Sequence, residues 1–174
     1  MLPILLALMF IAILIVVVIA GEGNEFAVSR RTKIAAPPAQ VYPHVNELRK
    51  WEAWNPWGKM DPNSKMTYDG PPAGTGASYS WAGKKVGAGR NTIMESVPNE
   101  LVRFRLEFLK PWTATNTAEF TFRADGGQTL VTWTMYGKRN LCAKIFGLFM
   151  NCDKMCGDHF DKGLAEMKSV VEKS

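Results

Sequence analysis

Between residues 65 and 136 the chain alternates apolar and polar side chains in short runs, each stopped by turn residues. No other pattern in the sequence narrows the fold as much. Alternation with a period of two puts every second side chain on the same face of a strand. The runs therefore read as strands of a sheet covered on one face. They are 65–68, 77–81, 89–97, 101–109, 113–124 and 128–136. The stops include Asp69-Gly70-Pro71-Pro72, Pro98-Asn99-Glu100, Lys110-Pro111 and Asp125-Gly126-Gly127, the last a strong hairpin signal. Strand following strand through short turns means an antiparallel sheet.

Residues 26–35 alternate well enough to add a first strand, which Ala36-Pro37-Pro38 ends. A proline pair can open a helix, and Val41, Val45 and Leu48 then give a short apolar stripe. At the other end of the domain Leu141, Ile145, Leu148 and Phe149 repeat at helical spacing. A longer helix from about Asp153 carries Cys156, Phe160, Leu164, Met167 and Val171 along one stripe. Helices segregated to one side of an antiparallel sheet make an α+β domain.

The strand faces assign the interior. Ala114, Asn116, Ala118, Phe120 and Phe122 share one face, as do Val131, Trp133 and Met135. Val102, Phe104, Leu106 and Phe108 line a third strand, and Tyr79 and Trp81 a fourth. Arg105, Glu107 and Glu119 fall on the outer face. Small residues mixed with aromatics, and Met150, Met155 and Met167 on the helical side, suggest an apolar cavity between sheet and helix. An aromatic inner face is equally a plain hydrophobic core.

Half of the six tryptophans lie in one short stretch, as Trp51, Trp54 and Trp57, with Asn55-Pro56 interrupting. The expectation is that Trp54 packs inward while Trp51 and Trp57 line or rim an entrance. An indole suits a half-wet position, because its N–H can find a partner while its rings stay apolar.

The 47% hydrophobic content is ordinary but unevenly distributed. Residues 2–20 hold no charged or strongly polar side chain, and at about 1.5 Å per residue they are long enough for a bilayer core of about 30 Å. A cleaved secretory signal is the alternative, and Val18-Ile19-Ala20 before Gly21 resembles a cleavage site. The run lacks a basic n-region, however, and is longer than a usual signal core. The reading is therefore a transmembrane anchor over 1–20, a linker over 21–24 and one domain over 25–174. Arg30, Arg31 and Lys33 follow the anchor, so the positive-inside rule puts the domain in the cytoplasm, on a single-pass inner-membrane protein.

A net charge of +5 suits a domain held near an anionic lipid surface. The basic residues are scattered and form no nucleic-acid motif, so no nucleic-acid partner is expected. Cys142, Cys152 and Cys156 are too few and oddly numbered for a disulfide framework. Cys152 and Cys156 sit one helical turn apart without a completing His or Asp set, so they read as buried thiols, and no metal or cofactor is expected. The histidines are poor catalytic candidates: His44 sits among polar neighbours and His159 lies one step off the helical stripe. Glu95 and Tyr79 remain as acid–base candidates.

The segments Ile34-Ala35-Ala36-Pro37-Pro38-Ala39-Gln40-Val41-Tyr42, Val45-Asn46-Glu47-Leu48 and Trp51-Glu52-Ala53-Trp54-Asn55-Pro56-Trp57 follow one another closely. With GPPAGTGASYSWAG, FLKPWTATNTAEFTF and GLFMNCDKMCGDHFDKGLAEMK, they resemble a membrane-anchored bacterial subgroup of the SRPBCC superfamily, the polyketide cyclase/dehydrase and lipid transport proteins. The resemblance covers about residues 28–172. It implies a helix-grip (START-like) fold, with a seven-stranded curved antiparallel sheet around a long C-terminal helix. It does not choose among carriers, sensors, cyclases and regulatory partners. The expected function is binding of a hydrophobic small molecule or lipid. The candidate ligand-binding residues are Trp51, Trp54, Trp57, Tyr79, Trp81, Phe104, Phe120, Trp133, Met135, Met150, Phe160 and Leu164. A cyclase or dehydratase, or a regulatory partner of another membrane protein, is the alternative.

Overall fold

A computed structural model of the chain describes residues 4, 9, 10, 21, 23–138 and 152–174. The anchor expected over 2–20, the helix expected around 141–149, Cys142 and Met150 lie wholly or almost wholly outside the described residues. Among those described, no helix is long and apolar enough to cross a membrane.

The seven strands are β1 (Glu25–Ile34), β2 (Lys65–Asp69), β3 (Ser78–Gly83), β4 (Gly87–Val97), β5 (Leu101–Lys110), β6 (Ala114–Asp125) and β7 (Gln128–Lys138). They form one sheet in the order β1-β7-β6-β5-β4-β3-β2, and every pairing is antiparallel. Five neighbouring pairs are sequence hairpins, whereas β1 closes on the last strand, from Glu25 opposite Lys138 to Ile34 opposite Thr129. The tightest hairpin pairs Asp125 with Gln128 across Gly126 (φ 57°) and Gly127 (φ 82°). Both turn residues must have positive φ there, which glycine supplies without steric cost. Register shifts at Ala88/Gly89 and Ile93/Glu95 kink β4 against β5 and increase the local twist, which curves the sheet.

Between β1 and β2 the chain forms α1 (Pro38–Val41), α2 (Pro43–Asn46), a 3₁₀ helix (Leu48–Ala53) and α3 (Pro56–Met60). Prolines open all three short α-helices, where their missing N–H costs nothing. Asn55 caps α3 by accepting the Trp57 amide. The long C-terminal helix α4 (Cys152–Val171) lies on the concave face. It buries Phe160, Leu164, Met167 and Val171, with Cys156 half-buried beside them. Met155, expected inside, is instead 49% exposed. It falls one residue before Cys156, and one step is about 100° around a helix.

Arg30, directly opposite Trp133 in the β1–β7 register, ties the first half of α4 to the sheet. Its guanidinium pairs with Asp153 at 3.1 Å and Asp161 at 3.3 Å. The helix approaches closely enough that a side chain at Gly157 would run into Arg30.

Register defines two ends of the concave face. At the proximal end, where the chain enters β1, one row runs Phe26, Gly137, Asn116, Leu106, Asn91, Tyr79, and the last row runs Ala114, Phe108, Gly89, Trp81. The distal end carries Ile34, Thr129, Phe122 and Val131, under α1 and α2.

Candidate functional site

The middle and distal part of the concave face is filled by rings. Trp133 stacks on Phe160 at 4.1 Å and 5°, and on Phe120 at 4.6 Å and 28°. Trp51 meets Phe104 and Phe120 edge-on at 5.3 Å and 5.8 Å, and Trp54 meets Trp133 edge-on at 5.7 Å. Edge-on and offset arrangements are what the ring quadrupoles prefer. Backbone carbonyls take two of the indole N–H groups: Trp51 Nε1 donates to Val45 at 2.8 Å and Trp54 Nε1 to His44 at 2.9 Å. Gly163 is small because a Cβ there would lie 2.9 Å from the Trp133 ring and 3.1 Å from Pro56.

Trp54 packs inward as expected, but Trp51 does not rim an entrance; it is 4% exposed. The 3₁₀ geometry of Leu48–Ala53 is the reason. With three residues per turn, positions i and i+3 eclipse, so Leu48, Trp51 and Trp54 all face inward. Trp57 belongs to α3 and is half-buried, 5.7 Å from His159 and 5.6 Å from Trp133.

The proximal rows differ. Phe26, Trp81, Leu106, Phe108, Asn116 and Gly137 are all half-buried. Trp81 lies across Gly89, leaving no room for a side chain there, and Asn116 Oδ1 occupies the space above Gly137. Tyr79 and Asn91 are buried at the inner edge of this zone. Burial holds the Tyr79 hydroxyl protonated, its pKa pushed up to about 12, although hydrogen bonds from the Asn91 and Asn55 amides pull the other way. Asn91 Oδ1 and Trp133 Nε1 are buried without a hydrogen-bond partner among the described residues. A buried unpaired polar atom is costly, and of the two Asn91 Oδ1 lies in the proximal zone whereas Trp133 Nε1 lies among the packed rings.

The sequence-predicted residues thus separate. Trp51, Trp54, Phe104, Phe120, Trp133, Phe160 and Leu164 are buried in mutual contact in the core, with Met135 at its proximal border. Tyr79 and Trp81 belong to the proximal zone, where their rings lie 5.8 Å apart. The proximal zone also includes Leu106 and Phe108, expected on the inner face but not as ligand contacts, and Phe26, Gly89, Asn91 and Gly137, which the sequence did not mark. Strict alternation back from Ile93 would have found Gly89 and Asn91. Glu95 is turned outward onto Arg103, which also pairs with Glu119 at 3.1 Å, and Arg105 holds Glu107 at 3.3 Å. Among the described residues no three His, Cys, Asp or Glu side chains converge as metal ligands.

A curved seven-stranded antiparallel sheet closed on a long C-terminal helix defines the helix-grip class. The chain belongs to the polyketide cyclase/dehydrase and lipid transport family, of SRPBCC type, whose pattern it matches over residues 25–172. Solved structures agree on the fold. Protein CV1439 from Chromobacterium violaceum superposes with a TM-score of 0.61 at 16% identity, over 86% of this chain and 97% of that one. The Aha1 dimer from Colwellia psychrerythraea gives 0.59 at 17%, over 84% and 96%. DynU16, from the dynemicin biosynthetic locus, gives 0.60 at 14%, over 87% and 48%. Identities this low carry the fold alone. No curated protein matches the chain.

Proposed function

We propose that the domain binds one apolar small molecule or lipid at the proximal end of its concave face, and that residues 2–20 tether it to a membrane as a carrier or sensor. The observation that carries this reading is the change in packing along one face. Closely stacked rings give way to half-buried Phe26, Leu106 and Phe108 beside the Asn91 and Asn116 amides. Apolar walls with a few placed polar groups are the usual make-up of a small-molecule site. Each Å² of apolar ligand surface buried there contributes roughly 25 cal/mol. Tyr79, Trp81 and Met135 are then ligand contacts, and the deeper rings form the floor.

The tether rests on the uninterrupted apolar run. Ile4, Met9 and Phe10 within it are helical, with 65%, 57% and 66% of their surfaces open. The basic residues after it favour an inner-membrane protein with its domain in the cytoplasm. A cyclase or dehydratase is the second reading, resting on the buried, protonated Tyr79 hydroxyl between two amides.

The test is native mass spectrometry of the full-length chain released from membranes, followed by identification of what it carries. One lipid-like molecule per chain, lost in Leu106→Trp, supports the proposal. A ligand-free chain from several hosts overturns it. Turnover of a bound polyketide that Tyr79→Phe abolishes would favour the enzyme.

A further inference from the structure

The proximal end carries a surface that the binding site does not use. The end of β5 and the turn after it present Leu109 and Trp112, 56% and 67% exposed. The turn after β3 presents Lys84 and Lys85. The two turns are neighbours: Gly87 packs against the Lys110 carbonyl and lies close to Pro111, and Ala88 pairs with Lys110. Lys65 opposite Ala82 and Lys138 opposite Glu25 reach the same end. Lys65, Lys84, Lys85, Lys110 and Lys138 are all exposed, and none forms an ion pair among the described residues. Of the nearby carboxylates, Asp61 is buried and accepts the Lys85 amide, which leaves Glu25 as the exposed acid in these strand ends. The distal end is balanced instead, with Lys33 on Asp125 and Lys168 beside Glu172.

We infer that the proximal end docks flat on an anionic phospholipid surface, with Trp112 and Leu109 entering the interface and the lysines at headgroup depth. The position of the apolar run, read above as an anchor, selects this occupant. The run ends at Ala20 and β1 begins at Glu25, a gap of at most about 18 Å fully extended. A tethered domain therefore holds this end nearest the bilayer. Tryptophan favours the membrane–water interface. Each lysine near an anionic surface contributes about 1 kcal/mol, roughly fivefold in affinity. Docking also turns the Trp81–Phe108–Asn116 zone toward the lipid, so that a ligand passes from bilayer to site without crossing water.

The test uses the full-length chain in vesicles of equal phosphatidylcholine and phosphatidylglycerol with brominated acyl chains. Residues 2–20 contain no tryptophan, so any quenching reports the domain. Docking predicts quenching that falls at least twofold in Trp112→Phe. It should fall similarly in Lys84→Glu/Lys85→Glu/Lys110→Glu, in pure phosphatidylcholine and in high salt. Alkaline carbonate extraction of the same vesicles reads the anchor separately. Retention without quenching at Trp112 overturns the docking and leaves the anchor. Extraction, with flotation on anionic vesicles that the lysine reversal abolishes, overturns the anchor and leaves the docking. Absent quenching, together with a dimer that Trp112→Phe dissolves, assigns this end to a second copy and overturns the inference.

Discussion

The two ends of the concave face both carry large aromatic side chains and behave differently. At the middle and distal end, Trp51, Trp54, Phe120, Trp133 and Phe160 satisfy one another ring to ring, under a roof of short helices. At the proximal end Phe26, Trp81, Leu106 and Phe108 stand on the same sheet and are only half-buried. Covering and composition together separate core from site. The distal half lies under α1, α2 and the 3₁₀ helix, whereas the proximal half has glycines and asparagines where its neighbours have rings.

The comparison breaks most visibly if the core is opened. Trp133→Ala should destabilise the domain by about 3–5 kcal/mol, the usual cost of deleting a buried large aromatic, as read by denaturant unfolding. Gly163→Val should cost about 1–3 kcal/mol, because its side chain must displace the Trp133 ring or Pro56. The proximal end should respond in the opposite sense. Leu106→Trp should change stability by about 1 kcal/mol or less, since a half-buried side chain can relax, while ligand occupancy falls at least tenfold. Equal losses of stability at Trp133 and Leu106 would erase the distinction between the ends.

The smallest expected effect concerns pH. Burial, helped by the neighbouring Lys50, holds the His44 imidazole below its ordinary value of 6.5, and its Nδ1 is buried without a partner among the described residues. A histidine depressed in the fold contributes stability that is complete above about 6.5 and is lost as pH falls through the depressed value. Unfolding midpoints should therefore decline on acidification below pH 6.5, and His44→Gln should flatten that decline.

Much of the fold could be read from residue order. Alternation located the strands to within about two residues, and Asp125-Gly126-Gly127 marked its hairpin because only glycine meets that turn cheaply. The stripe ending at Val171 marked α4. The place of Trp51 was not legible, because Trp51, Trp54 and Trp57 repeat every three residues without showing where the 3₁₀ segment Leu48–Ala53 ends and the next helix begins, and propensity does not mark so short a segment. The site was only partly legible. Asn116 sits on the expected inner face, but whether an inner-face ring is wall or filling depends on what lies over it. That is a long-range fact: Trp133 is buried by Phe160 on α4 and Trp57 on α3, both far away in sequence.

Photolabelling tests the central claim most directly. The full-length chain, loaded with a fatty acid carrying a diazirine along its acyl chain, is irradiated, digested and mapped. The account predicts label on the peptides holding Leu106, Phe108, Asn116 and Trp81, competed away by unlabelled lipid and absent in Leu106→Trp. Competable label on Trp51, Phe104 and Trp133 instead, with the proximal residues untouched, would contradict it.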